Sequence, residues 1–276
     1  MTALHLAAEF SLIAVVEAIA QACITLVDDE EEQCTLLHSA VLHNEVDIVR
    51  LLLHHGADVG ALDRQGRMPL HYAAMSFILL ENDVKVGRNS EVDIVKLLFN
   101  NGADVNARDN HKHTPLHYAS KKASADVIKV LVVAGADIGA RDDEEKTPLH
   151  KVAKHNPSAE AVRVMVEAGA DLDAEDCFQW TPMHRAALDN PGAVRVLIES
   201  GAKVNKLNKD QIYDGSVTPL FYAAKYSHRD AIIALCAAGA DPRLGDLSPL
   251  DADCVKDDMK TLIREQFPVR SSSLTC

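Results

Sequence analysis

Cys177, Phe178, Trp180 and His184 stand within eight residues of one another in CFQWTPMHRAA, the stretch that holds the only tryptophan of the chain. A thiol beside an imidazole has the parts of a nucleophile and its base, and two rings could shape a pocket around them. The other chemistry-bearing residues give this reading little company. Six cysteines occur (Cys23, Cys34, Cys177, Cys236, Cys254 and Cys276), none in a C-x-x-C pair and none at zinc-finger spacing from histidine, which argues against a metal site. There is no G-x-S-x-G, no phosphate-cradling glycine loop and no H-E-x-x-H. No catalytic residue and no cofactor is expected. The stretch is a site only if it stands alone.

It does not stand alone. TALHLAA begins at Thr2, TLLHSAV at Thr35, MPLHYAA at Met68, TPLHYAS at Thr114, TPLHKVA at Thr147, TPMHRAA at Thr181 and TPLFYAA at Thr218, with a worn copy, SPLDADC, at Ser248. The intervals are 33, 33, 46, 33, 34, 37 and 30 residues. A second motif keeps step: HGADVGALD, NGADVNARD, AGADIGARD, AGADLDAED, SGAKVNKLN and AGADPRLGD. Self-similarity at a fixed period signals an array of one supersecondary unit.

Each recurring residue type has a physical job. Threonine caps a first helix while proline takes its first turn, where a missing N–H costs nothing. Small and apolar residues such as LHYAA let that short helix press against its neighbours. A second helix, as in VDIVRLLLHHG, carries one apolar stripe and ends at Gly56, Gly102, Gly135, Gly169, Gly201 or Gly239. About a dozen residues then lead to the next threonine. His5, His38, His71, His117, His150 and His184 share one motif position, where Phe221 and Asp251 stand later. A histidine repeated for stacking is scaffold, bonding backbone between neighbouring units, and His184 is not a catalyst.

The period and the T-P-L-H-x-A-A and G-A-D-V-N-A signatures resemble the ankyrin repeat over residues 1–267. The resemblance implies an all-α fold, an ankyrin-repeat solenoid of stacked helix-turn-helix units with hairpin-like finger loops. It implies about seven units and a degenerate C-terminal capping repeat at residues 248–267, followed by a polar tail at 268–276. In that frame LIAVVEAIAQACITLV (Leu12 to Val27) belongs to the first unit rather than to a signal or membrane segment. It contains Glu17 and Gln21 and is too short to span.

Four departures mark this chain among such arrays. An insertion, FILLENDVKVGRN, occupies residues 77–89, and its four leading apolar residues suit core cover or a partner contact. The finger at 206–217 is longer than the others, with Ile212 and Tyr213 near its tip. DDEEE, Asp28 to Glu32, replaces the first finger and lacks the alternating ligands of a calcium loop; it reads as a solvated acidic turn. The chain also opens without an evident polar cap, so it is expected either to be a fragment or to cover its first unit with a partner or another copy, a route to self-association.

The resemblance implies a non-enzymatic scaffold or adaptor that grips a protein partner with finger tips and exposed first-helix positions. Carried onto this chain, those positions include Tyr72, Tyr118, Lys121, Lys122, Lys151, Lys154, Phe178, Trp180, Arg185 and Tyr222. The cations form a strip flanked by the aromatic types that carry binding energy. A net charge of −13 argues against nucleic acid as partner. Scattered single thiols suit the cytoplasm, with the nucleus also open. Two further readings are a targeting or regulatory fragment of a larger enzyme or channel, and a nucleotide or small-molecule module with Trp180 or Phe178 stacked on a base. LFNNGADVN also resembles ankyrin segments modified by an asparaginyl hydroxylase. That would put hydroxylation at Asn106, with Leu98 and Asp104 in place; Asn205 fits less well because Lys203 replaces the acid.

Overall fold

The structure is a computed structural model, and it describes residues 27–29, 33–75, 90–122, 124–155, 158–210 and 215–267. Among these residues nearly all of the regular secondary structure is helical. Its contacts divide it into two units, residues 1–148 with 167–169 and residues 149–166 with 170–276.

The first unit holds three helix pairs. These are α1 (Leu36–Leu42) with α2 (Val46–His54), α3 (Pro69–Met75) with α4 (Ser90–Asn100), and α5 (Pro115–Lys122) with α6 (Ala125–Val133). First helices stack on first helices, α1 on α3 and α3 on α5, and second helices do the same, α2 on α4 and α4 on α6. Before them a short antiparallel ribbon pairs β1 (Val27–Asp29) with β2 (Cys34–Thr35). Part of the DDEEE segment, Asp28 and Asp29, is thus one arm of a hairpin.

The second unit holds α7 (Pro148–His155) with α8 (Ala159–Glu167), α9 (Pro182–Asp189) with α10 (Pro191–Glu199), and α11 (Pro219–Lys225) with α12 (Arg229–Ala237). A final helix, α13 (Asp257–Gln266), packs on α12 through buried Met259, Leu262 and Ile263. The longer finger is a β-hairpin, β3 (Asn208–Asp210) against β4 (Gly215–Val217), in the register Asn208↔Val217, Lys209↔Ser216 and Asp210↔Gly215. Its extra length is spent on a regular ladder.

Local chemistry accounts for the element bounds. Thr35 and Thr181 cap their helices in extended conformation, Thr218 takes the same extended N-cap conformation, and Pro182 and Pro219 fill the first turn of theirs. The second helices bury one stripe, as in Ile48, Val49 and Leu52 of α2 or Val127, Ile128 and Leu131 of α6. They end on a shared device. The N–H of Ala57 reaches the carbonyl of Leu52 while Gly56, at φ 85°, reaches that of Leu53. The same pair of bonds recurs at Gly102, Gly135, Gly201 and Gly239, satisfying carbonyls that a helix end otherwise leaves open. Buried Ala40, Ala73, Ala119, Ala186 and Ala223 keep the first helices close.

The first repeat, the insertion at 77–89, the tips Ile212 and Tyr213, and the tail at 268–276 lie outside the described residues, and with them the expected first-unit self-association.

Candidate functional site

The motif histidine has the same surroundings in unit after unit. The Nδ1 of His184 accepts the N–H of Thr181 at 3.1 Å, and its Nε2 donates to the carbonyl of Val217 at 3.3 Å. His38 donates to Arg67 O at 3.0 Å, His71 to His113 O at 3.2 Å, His117 to Lys146 O at 3.1 Å and His150 to Trp180 O at 2.9 Å. A carbonyl can only accept, so Nε2 carries the proton and the ring is the neutral tautomer. Burial pushes the imidazoles of His38, His71 and His184 toward the neutral form, that of His184 down to about 3, against backbone acceptors that pull the other way. Each ring therefore ties the cap of its own helix to the finger that follows. His184 has no lone pair left for a base to use, and its ring belongs to the scaffold.

A second recurrent arrangement lies in the fingers. Asp63, Asp109, Asp142 and Asp176 end the second sequence motif and are buried. One carboxylate oxygen of each caps its own finger turn: Asp176 Oδ1 accepts the N–H groups of Phe178 and Trp180, both at 2.9 Å, and Asp63, Asp109 and Asp142 do the same two and four residues on. In the fingers of Asp63, Asp109 and Asp176 the other oxygen faces the residue nine positions later, directly after the motif histidine. Tyr72 donates to Asp63 at 2.8 Å, Tyr118 to Asp109 at 2.6 Å and Arg185 to Asp176 at 2.8 Å. In the hairpin finger Asn208 donates to the hydroxyl of Tyr222 at 2.9 Å.

This arrangement corrects part of the expected partner surface. Tyr72, Tyr118 and Tyr222 are only 5, 9 and 3% exposed, and Lys151 only 8%. The position after the histidine looked free because its residue type varies; it is instead where a polar tip returns to the finger base. The signal was present in the sequence: an acid, or asparagine, recurs in phase ahead of each such residue. Of the other expected positions, Lys121 sits with its ammonium 5.1 Å from the Tyr118 ring centroid, Lys122 lies on α5, and Lys154, Phe178, Trp180 and Arg185 are half-buried.

A family model of ankyrin repeats matches this chain in three copies, over residues 4–89, 62–142 and 122–208. The chain belongs to the ankyrin-repeat family. The helix pairs from α1 to α10, with their buried histidines, lie within that match, and the all-α repeat fold expected from the motifs is the one found. Among curated proteins, ADP-ribosylation factor GTPase-activating protein AGD1 of Arabidopsis thaliana is 41% identical over 49 residues. That stretch is 18% of this chain and 6% of AGD1.

Within the second unit the ankyrin finger of Asp176 presents one compact group of side chains. The Arg185 guanidinium lies 4.3 Å from the Trp180 ring centroid, and Trp180 lies 4.6 Å from the ring of Tyr222. Phe178 is anchored to the next finger, its carbonyl accepting the N–H of Lys209 at 2.9 Å. Asp189, at the end of α9, has its carboxyl pushed up by burial while Lys154, Arg185 and His228 pull it down. Cations of the expected strip thus sit opposite acids, Arg185 against Asp176 and Lys154 against Asp189, which lowers the net positive field of this face.

Elsewhere in the first unit, Asp142, Asp143 and Glu144 bring carboxylate oxygens within 4.8 Å of one another. His113 faces Asp142, His111 faces Asp143, and Lys146 pairs with Glu144, so each acid already has a cation or imidazole opposite it. No helix among the described residues is long and apolar enough to cross a membrane.

Proposed function

We propose that this ankyrin array is a non-enzymatic scaffold that holds a protein partner, and that the second-unit face formed by Phe178, Trp180, Arg185 and Lys154 makes the contact. The observation that carries this reading is the fixed Arg185: a guanidinium held by the Asp176 carboxylate at 2.8 Å and laid against Trp180 is both half-buried and pre-ordered. Arginine and tryptophan are the residue types that dominate binding energy when a partner completes their burial, and pre-ordering reduces the entropy lost on contact. Aromatic surface flanked by compensated charge suits a segment with an apolar anchor and mixed polar neighbours. It suits a strongly acidic segment less well.

The base-stacking alternative has less support, because Arg185 and Tyr222 already lie against the Trp180 ring. The reading of the chain as a regulatory part of a larger protein, with the cytoplasm as its compartment, stands as a companion proposal. It is compatible with a match that covers 6% of AGD1.

The test is cross-linking capture with Phe178→Ala and Lys154→Glu, two half-buried changes outside the buried hydrogen-bond network, against the unaltered chain at equal helicity and melting midpoint. Partners lost from both variants support this face. Partners retained at full yield by both place the contact elsewhere on the array.

A further inference from the structure

His113 stands immediately before the threonine of its unit, where the preceding unit has Arg67 before Met68. Arg67 uses that place to donate from Nε to Asp63 Oδ2 at 2.6 Å. His113 makes the corresponding approach and one more. Its Nδ1 is 3.5 Å from Asp109 Oδ2 in its own finger, and its Nε2 is 3.4 Å from Asp142 Oδ2 in the next. The imidazole is 15% exposed and the two carboxylates 1% and 0%. An imidazole replaces a permanent cation at a point where two buried acids of successive fingers converge.

Proton count decides what this geometry does. An ionised carboxylate only accepts hydrogen bonds, and a neutral imidazole has a single N–H. The neutral ring can therefore donate to one aspartate while its lone pair confronts the other. Only the imidazolium donates to both. We infer that His113 is a proton-operated clasp joining the fingers of Asp109 and Asp142, closed when the ring is doubly protonated and loosened when it gives up one proton.

The surroundings leave these two acids as the groups that His113 serves. From its own finger, the His111 ring is 6.0 Å away and faces Asp143 at 3.2 Å. From α5, His117 lies at 5.7 Å with its Nε2 donating to the carbonyl of Lys146, and Tyr118 lies at 5.4 Å with its hydroxyl donating to Asp109. From the next finger, the Lys146 ammonium pairs with Glu144. From the preceding unit, His71 donates to the His113 carbonyl, and the Asp63–Arg67 pair is internally neutral. Burial would raise the carboxyl of Asp109, but donation from His113 and Tyr118 outweighs it and holds that group well below the usual carboxylate range. It therefore stays an acceptor throughout the range in which an imidazole titrates.

The clasp predicts a pH dependence opposite in sign to that of the motif histidines. Those rings are neutral when folded and destabilise the fold on acidification, whereas the clasp tightens.

The experiment follows the intact chain from pH about 5.5 to about 8.5, on either side of the ordinary imidazole value of about 6.5. Imidazole 15N resonances, assigned by their loss in His113→Arg, report the protonation of the ring. Exchange of the Glu144 and Lys146 amides, which donate to Asp142 Oδ1, reports the finger after correction for intrinsic rates. In the unaltered chain these amides are expected to open about tenfold more readily once His113 has lost its second proton. His113→Arg, with Arg67 as its precedent, is expected to remove that step, and His113→Gln to leave the finger loose at every pH. The inference is overturned if the unaltered chain and His113→Arg show the same pH dependence at Glu144 and Lys146. A ring that keeps one protonation state over the whole range also overturns it. The unaltered chain's own titration decides the matter even where a variant folds poorly.

Discussion

Arg185 and Asp176 are joined at 2.8 Å across nine residues of chain, and in the fingers of Asp63 and Asp109 the same span is closed by a tyrosine hydroxyl. One carboxylate thus does two jobs. It gives the finger turn its shape through Oδ1 and fixes the finger to the following helix through Oδ2. The donor is a cation in one finger and a neutral hydroxyl in the other two, because what the buried acid requires is a proton directed at its second oxygen.

That interchange has a measurable consequence. Asp176→Ala should destabilise the protein by about 3 kcal/mol, since it strands a half-buried guanidinium and two backbone N–H groups at once. Arg185→Tyr should cost no more than about 1 kcal/mol, because it installs the donor that Tyr72 and Tyr118 already provide. Denaturant midpoints of the two variants should therefore differ clearly. Equal losses would mean that Oδ2 contributes little and that the turn alone sets the energy.

Much of the array was legible in the sequence because its determinants are local. Thr181 caps, Pro182 starts a helix, and a glycine such as Gly56 ends one, all within a few residues. The structural role of the histidines was legible for another reason: recurrence at one phase excludes a singular catalytic role for His184. Tyr72, Tyr118 and Tyr222 were misread as exposed. Their type varies from unit to unit, as a partner-facing residue's does, and their polar partners stand nine or more residues upstream across a turn whose shape linear spacing does not reveal. Lys151 was misread for a different reason. Its long stem can be buried along a helix that its charge suggests is wet.

Acid should weaken this protein well before its carboxylates titrate. Burial lowers the folded-state pKa of His38, His71 and His184, so between the unfolded value of about 6.5 and the folded value an unfolded ring binds a proton that the folded ring refuses. The stability that these three neutral rings contribute is complete above about pH 6.5 and falls as the pH drops, by about 1.4 kcal/mol per pH unit for each ring wholly in that regime. For His184 the loss continues down to about pH 3. Melting from pH 7 to pH 4 measures it. His184→Phe, the solution that Phe221 represents at the same motif position, should flatten the slope even if it lowers the plateau.

Finger turns carry backbone strain that glycine can relieve. Gln179 has φ 59°, and at the corresponding place in the finger of Asp63 stands Gly66, with φ 74°. A residue with a Cβ is disfavoured in the left-handed region by an amount that slightly exceeds the extra chain entropy glycine loses on folding. Gln179→Gly should therefore stabilise by roughly 0.5 kcal/mol, seen as a higher melting midpoint with unchanged denaturant slope. A drop in the midpoint would show that the half-buried Gln179 side chain contributes more than the turn costs.

Asn106 is where a proposed modification and the stability of the array meet. Its Nδ2 donates to the carbonyl of Gly135 at 3.1 Å and its Oδ1 accepts the N–H of Asp137 at 2.7 Å, so one amide spans two successive units. Asn205 repeats the arrangement with Gly239 and Asp241 at 3.0 and 2.8 Å. Asn106→Ala should cost about 1–2 kcal/mol, because it unpairs a donor and an acceptor together, although both are near solvent. A hydroxylase would need this amide released and the chain around it extended, and Leu98, wholly buried in α4, would have to leave the core with it. Modification should therefore track local opening: variants that loosen the finger of Asp109, such as Asp109→Asn, should be hydroxylated faster, by several-fold. Mass spectrometry of the peptide containing Asn106, after incubation with an asparaginyl hydroxylase and its co-substrates, reads the rate. An equal rate in the loosened and unaltered chains would mean that opening does not limit the reaction. No added oxygen in either would remove Asn106 as a site.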